Sequence, residues 1–354
     1  MTGLPATPYL AVDEEVLRDN IARMAQRGRQ AGFAVRPHVK THKCVEIARM
    51  QVAEGAQGIT VATVGEAEIF ADAGFDDVFI AYPLWVDAAK GERLRTLAQR
   101  CAVRIGLDSA QGATQLGEHA SGVPLEVVVE VDSGHHRSGV RPDEAGAVAR
   151  AAVDAGLRCV GVFTFPGHSY AADGGRERAA RDEMAALTQA AASLREAGIE
   201  PVVVSGGSTP SMEFADASAV TELRPGVYVT GDAQQWELGS AGPDAIALTA
   251  HATVVSHAGG RAVLDSGSKI LGADRAGYAT GFGRLLDHPD ARIVILSEHH
   301  AVVDLAGGDL PELGSVVRVV PNHACNAINL VDTLVVGDPA AGVTWSVAAR
   351  GRNS

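Results

Sequence analysis

At 354 residues the chain exceeds what one hydrophobic core comfortably fills, so two domains, or one barrel with an appended module, are expected. A hydrophobic share of 46% beside 21% charged residues excludes a disordered chain, and a net charge of −13 excludes a nucleic-acid partner, because no segment offers the basic face a phosphate backbone requires. No apolar run is long enough to span a bilayer and the opening MTGLPATPYLAVDEE has no signal-peptide pattern, so no membrane partner and a cytoplasmic location are expected.

The segment TPYLAVD reads as a strand, and residues 1–12 are expected to pair with the C-terminal part of the chain. A helix from Glu14 to Gln30 follows. From residue 33 onward, short Val- and Ile-rich runs alternate with Ala- and Arg-rich helical stretches, the pattern that βαβ units in a parallel sheet produce. Eight strands are predicted: Phe33 to Val39, Gly58 to Ala62, Asp77 to Ala81, Ala102 to Leu107, Leu125 to Val131, Cys159 to Phe165, Pro201 to Ser205 and Val220 to Leu223. Eight repeats predict a closed (α/β)8 barrel over residues 13–240, and the absence of GxGxxG after the first strand counts against a dinucleotide fold.

After Asp232 the texture changes. Ala245 to Ser256, Gly260 to Asp265, Arg292 to Leu296, Ala301 to Leu305 and Ser315 to Val320 read as strands joined by turns without intervening helices, a C-terminal β-strand domain over residues 241–354. The cysteines, Cys44, Cys101, Cys159 and Cys325, are too scattered for a disulfide framework.

Functional residues of such barrels stand where strands end. Strand one runs into RPHVKTHK, which places Lys40 at the barrel mouth among Arg36, His38, His42 and Lys43. Cationic neighbours and burial both disfavour an ammonium, as an amine that attacks an aldehyde requires; a solvated basic loop fits the same residues equally well. Strand five ends in VDSGHHRSGV, with Asp132, His135, His136 and Arg137, and strand six in FTFPGHSY, with His168 and Tyr170. A guanidinium there can hydrogen-bond a cofactor oxygen and an aromatic or histidine can flank a ring, although His135 and His136 taken singly read as capping or core residues. Strand seven ends in SGGSTPS, where Ser205, Gly206, Gly207, Ser208 and Thr209 make a phosphate cradle at the position where barrels commonly bind phosphate; a plain glycine turn is the alternative. In VVPNHACNAIN, His323 and Cys325 stand two apart, so a continuing strand puts both on one face, where they suit Zn²⁺ or make a dry structural pair.

These segments together with VATVGEAE, ELRPGVY and LDSGSK resemble the D-threonine aldolase and D-serine dehydratase family of fold-type III pyridoxal-phosphate (PLP) enzymes, distant relatives of bacterial alanine racemase, over nearly the whole chain. The resemblance implies a PLP-binding barrel in which Lys40 forms the Schiff base, the Gly206 to Thr209 loop binds the phosphate and Arg137 approaches the ring oxygen. It further implies a divalent metal, Zn²⁺ or Mn²⁺, at His323 and Cys325, roles near the cofactor or substrate for His168, Tyr170 and Tyr228, a small D-amino-acid substrate and a homodimer.

Within that family the metal either promotes retro-aldol cleavage of a D-β-hydroxy-α-amino acid to glycine and an aldehyde or helps hydroxide leave. Asp as second ligand is typical of aldolases and Cys of D-serine dehydratases, whereas LDSGSKILGADR with ATGFGRL looks closest to low-specificity D-threonine aldolases. The expectation is accordingly a D-threonine aldolase-like lyase, with D-serine dehydratase as the alternative. An alanine racemase-type racemase, for which Tyr278 would be the second catalytic residue, and a non-catalytic PLP carrier are further alternatives.

Overall fold

A computed structural model describes residues 5–354. The chain divides into two compact units: Met24–Lys40, Gln51–Gly226 and Arg352–Ser354 form one, and Met1–Arg23 (described from Pro5), Thr41–Met50 and Val227–Gly351 form the other. Strand β1 (Tyr9–Val12) and helix α1 (Glu14–Ala31) open the chain.

The first unit is a ring of eight parallel strands: β2 (Ala34–Val35), β3 (Ile59–Val61), β4 (Asp77–Pro83), β5 (Ala102–Leu107), β6 (Leu125–Glu130), β7 (Arg158–Phe163), β8 (Val203–Gly206) and β9 (Glu222–Leu223). All eight predicted strands are present. Their order is β2-β9-β8-β7-β6-β5-β4-β3, and a parallel bridge between His38 and Thr60 joins the two ends, closing the (α/β)8 barrel. Beyond β2, Arg36 and His38 donate backbone hydrogen bonds to Leu223 and Pro225, and Val39 to Thr60, so the RPHV segment laces the seam.

Between the strands lie α2 (Val45–Ala53), α3 (Val64–Asp72), α4 (Ala88–Ala98), α5 (Ala110–Ala120), α6 (Ala145–Asp154) and α7 (Gly175–Glu196). Thr63, Asp87 and Ser109 cap the N-termini of α3, α4 and α5 through their side chains, each satisfying an amide that has no partner within its helix. Strands buried on both faces need apolar runs, and Phe79, Val128, Val160, Phe163 and Val203 pack together inside, with Phe79 and Phe163 edge to face at 5.2 Å.

Charges share that interior. Buried Arg36 donates to Glu222 at 2.8 Å and to Asp77 at 2.8 and 2.9 Å; Ser205 donates to the other Glu222 oxygen at 2.7 Å; and buried Arg224 donates to Ser205 Oγ at 2.5 Å and to the Thr164 carbonyl at 2.6 Å. Arg224 also lies over the rings of Phe163 and Phe79, at 5.3 and 5.5 Å. A buried charge persists only when paired and hydrogen-bonded, which this network accomplishes.

In the second unit, after α8 (Ala233–Glu237), come β10 (Leu248–Ser256), β11 (Ala262–Leu264), β12 (Gly283–Leu285), β13 (Arg292–Leu296), β14 (Ala301–Asp304), β15 (Val316–Pro321), β16 (Thr333–Val336) and β17 (Thr344–Ser346). They form one mostly antiparallel sheet with β1, which pairs antiparallel to β10 and parallel to β16. The expectation of no intervening helices is corrected by two short ones, α9 (Ser268–Leu271) and α10 (Ala324–Ile328). Among the described residues no helix is long and apolar enough to cross a membrane.

Candidate functional site

In the barrel unit the candidate residues stand past the C-terminal ends of β2, β6, β7 and β8, and one ring unites several of them. Lys40 Nζ lies 5.8 Å from the centre of the Phe165 ring and the Arg137 guanidinium 5.1 Å from it; the His135 ring meets it edge to face at 5.7 Å and Tyr170 lies at 6.3 Å. Phe165 is therefore the hub, and it was missed at the sequence level. The segment FTFPGHSY contains it, but the polar His168 and Tyr170 drew attention instead.

Arg36, read from sequence as a neighbour of Lys40, is turned into the barrel and taken up by Glu222 and Asp77. His38 does lie by the amine. Burial, together with the positive charges of Lys40, Arg224 and Arg137, holds its imidazole well below the ordinary histidine range. His42 Nδ1 accepts the Cys44 amide at 3.1 Å, and Lys43 donates to Asn329 at 2.8 Å, both within the second unit.

His168 Nε2 lies 3.3 Å from Asp182. Burial raises the Glu130 carboxyl, and Arg137 stands 4.0 Å from it. Three buried atoms near the mouth, His38 Nδ1, His168 Nδ1 and Glu130 Oε2, have no hydrogen-bond partner. Orphaned polar atoms of this kind are rare in a finished core and mark a place that a polar ligand completes.

The loop after β8 is tightly constrained. Gly207 has φ +88°, and a Cβ there would meet Leu223 at 3.0 Å, so only glycine fits. Its amide donates to Glu183 Oε1, while the Ser208 amide donates to Ser211 Oγ at 3.1 Å. Buried hydroxyls of Ser169, Ser208 and Ser211 link at 2.8 and 2.9 Å, Ser205 is fully buried between Glu222 and Arg224, and Thr209 is half-buried. An amine, a guanidinium facing the same ring, orphaned polar atoms and a glycine–hydroxyl loop after the seventh barrel strand together fit PLP. Tyr228, half-buried in the turn Val227–Val229, belongs to the second unit.

In that unit, His323 and Cys325 do not share a strand face. This corrects the expectation: β15 ends at Pro321, His323 stands at the N-terminal boundary of α10 without capping it, and Cys325 lies in its first turn, which brings the two side chains into hydrogen-bonding contact. Asn322 anchors the turn by donating to the Asp274 and Gly281 carbonyls at 3.1 and 2.8 Å. Asp232 accepts the Ala324 amide at 3.1 Å and the Gln235 amide at 2.8 Å, and its burial pushes its carboxyl up to about 6.

His323 Nδ1 and Asp274 Oδ2 are 2.6 Å apart, a pairing the sequence reading did not make. Burial alone would lower His323, but Cys325, Asp232 and Asp274 outweigh it and raise the imidazole to about 10. An imidazole oriented by a carboxylate beside a thiol is a donor set suited to two positions of a soft divalent cation. Among the described residues no group of three or more His, Cys, Asp and Glu is placed to hold a metal.

Comparison with known proteins accords with both units. Residues 12–234 match the alanine racemase N-terminal domain family, and residues 247–337 a putative serine dehydratase domain. D-threonine aldolase of an Arthrobacter species is 36% identical over 98% of this chain and 93% of its own. D-threo-3-hydroxyaspartate dehydratase of Delftia sp. HT23 is 35% identical over 90% of each chain; its structure aligns with TM-score 0.88 over 97% of each chain, and its variants include a His and a Cys, two positions apart, replaced by alanine, the Cys variant in a metal-free form. The crystal structure of D-threonine aldolase from Filomicrobium marinum aligns at 33% identity and TM-score 0.87, covering 99% of this chain and 97% of that one. The chain thus belongs to the D-threonine aldolase and D-serine dehydratase family of fold-type III PLP enzymes, with an alanine racemase-like barrel.

Proposed function

We propose that the protein is a PLP- and divalent-metal-dependent lyase that eliminates water from D-β-hydroxy-α-amino acids, the resulting enamine tautomerising to an imine whose hydrolysis takes up one water and gives a 2-oxo acid and ammonia. The observation that carries this reading is the His323–Cys325 pair with Asp274 behind it: the second donor is a thiol, at the same two-residue spacing as the His and Cys replaced in the Delftia dehydratase. Aldol cleavage of the same substrates to glycine and an aldehyde is the second reading, favoured by identity to the Arthrobacter aldolase over nearly the full chain and by the LDSGSKILGADR segment. The proposed ligand pair favours the elimination reading, because a metal there is what would act on the leaving hydroxyl, whereas overall identity says nothing of it.

Bound PLP supplies an electron sink for charge developing at the substrate Cα. Lys40 supplies the amine that attaches the cofactor. Arg137 faces the cofactor oxygen, and the Ser205 to Thr209 loop, with Ser208 and Thr209 as hydroxyl donors, holds the phosphate end. His168 and Tyr170 are assigned to flank the reacting region, and Tyr228 keeps its expected role toward cofactor or substrate. His38, held neutral by burial and by the surrounding cations, offers a neutral imidazole beside the amine. His323 and Cys325 would hold a divalent cation, Zn²⁺ or Mn²⁺, whose chemistry would be Lewis acidity toward a hydroxyl. The working form is a homodimer.

Product analysis tests this with D-serine, D-threonine and D-threo-3-hydroxyaspartate, each with and without a chelator. Chelator-sensitive release of ammonia with the 2-oxo acid supports elimination. Glycine with an aldehyde establishes the second reading, and neither product from any of the three sinks both.

A further inference from the structure

Helix α7 buries an apolar stripe that includes Ala179, Ala180, Leu187, Ala190 and Leu194, and Glu183 is the one ionisable member of it. The side chain is fully buried. Its Oε1 accepts the Gly207 amide, and its Oε2 has no partner. The carbonyl of the same peptide, from Gly206, accepts the Arg224 amide at 2.8 Å. The Gly206–Gly207 peptide is therefore gripped at both ends. Gly206 is what admits the carboxyl, because a Cβ at that position would come within 2.4 Å of Glu183 Oε1.

A buried carboxyl with one oxygen unsatisfied is costly, whereas a leucine in its place would complete the stripe. The one contact that distinguishes Glu183 from such a leucine is the hydrogen bond to the loop. We infer that Glu183 is the positioning residue of the phosphate loop: by holding the Gly206–Gly207 peptide, it sets the orientation in which the following Ser208–Thr209 segment meets the cofactor phosphate. The inference rests on the PLP reading above. It concerns the phosphate end alone and leaves the attachment at Lys40 untouched.

The test compares PLP with pyridoxal, which lacks the phosphate, by titrating each into the wild-type protein, Glu183→Ala, Glu183→Asp and Glu183→Gln and reading the visible absorbance band. Loss of one loop-setting hydrogen bond is expected to weaken PLP binding about tenfold in Glu183→Ala while pyridoxal binding stays within about twofold of wild type. Glu183→Gln, whose carboxamide oxygen still accepts the Gly207 amide, is expected to bind both compounds nearly as the wild type does. Should Glu183→Ala fail to fold, Glu183→Asp, which keeps the acid but withdraws it by one methylene, is expected to show the same split. An equal loss for both compounds, or an unchanged PLP affinity, would overturn the proposal. A wild-type protein that binds neither compound would overturn the PLP reading and this proposal with it, a result distinct from a failed split.

Discussion

Asp274 lies 2.6 Å from His323 Nδ1, although 49 residues of sequence separate the two. A carboxylate on one ring nitrogen fixes the ring's orientation beside Cys325.

From that relationship, Asp274→Ala is expected to lower Zn²⁺ or Mn²⁺ affinity by about 10- to 100-fold with the fold intact. Competition titration against a chromophoric chelator reads it. Unchanged affinity would remove Asp274 from the site.

Lys40→Ala is expected to abolish the visible cofactor band and to lower turnover by about 10³-fold or more. Borohydride reduction of the wild-type holoenzyme followed by peptide mapping should place the pyridoxyl group on Lys40. An adduct on another lysine would contradict the whole barrel-mouth assignment.

Arg36→Met is expected to destabilise the protein by about 3–5 kcal/mol, because Glu222 would keep its burial and lose its cation. The double variant Arg36→Met with Glu222→Gln should regain much of that. Denaturant midpoints at neutral pH decide it, and a near-neutral single variant would show that Arg104, 3.9 Å from Glu222, suffices as its partner.

Glu183 makes stability depend on pH with a definite sign. Burial raises its carboxyl from 4.5 to about 7, so the folded protein holds a proton that the unfolded chain releases. Its contribution is fully present below about 4.5 and is lost as the pH rises through 7. Glu183→Gln has no such proton. Relative to the variant, the wild-type apoprotein should lose on the order of 3 kcal/mol between pH 4.5 and pH 8. Parallel denaturation curves for the two proteins would expose the opposite trend if Glu183 is ionised in the fold.

The barrel was legible because strands covered on both faces must be apolar throughout, and eight such runs stood out between helical stretches. Their lengths were less so. Phe33 to Val39 was read as one strand, yet regular pairing stops at Val35, since Pro37 has no amide to donate and the segment then switches neighbours. Strands β12, β16 and β17 are not legible in the sequence because each has only three or four residues, too few for an alternation to show. The strand-end rule singles out Lys40, Arg137 and the SGGST loop as candidates, but it is blind to residues carried on helices. Asp182 and Glu183 are adjacent acids that read alike, yet one helical step leaves Asp182 half-exposed and Glu183 fully buried. Asp274 and Phe165 went unassigned for a related reason: what matters about each is a neighbour that only folding supplies.

Lys40, the lysine proposed to anchor the cofactor, follows closely on the joint where the ring of strands is fastened by a bridge, His38 to Thr60. On that proposal, chemical attachment and mechanical closure share one short stretch of backbone. Loading the enzyme should tighten the cylinder as a whole, and slower hydrogen exchange of the Val39 and Thr60 amides in the holoprotein would be its signature.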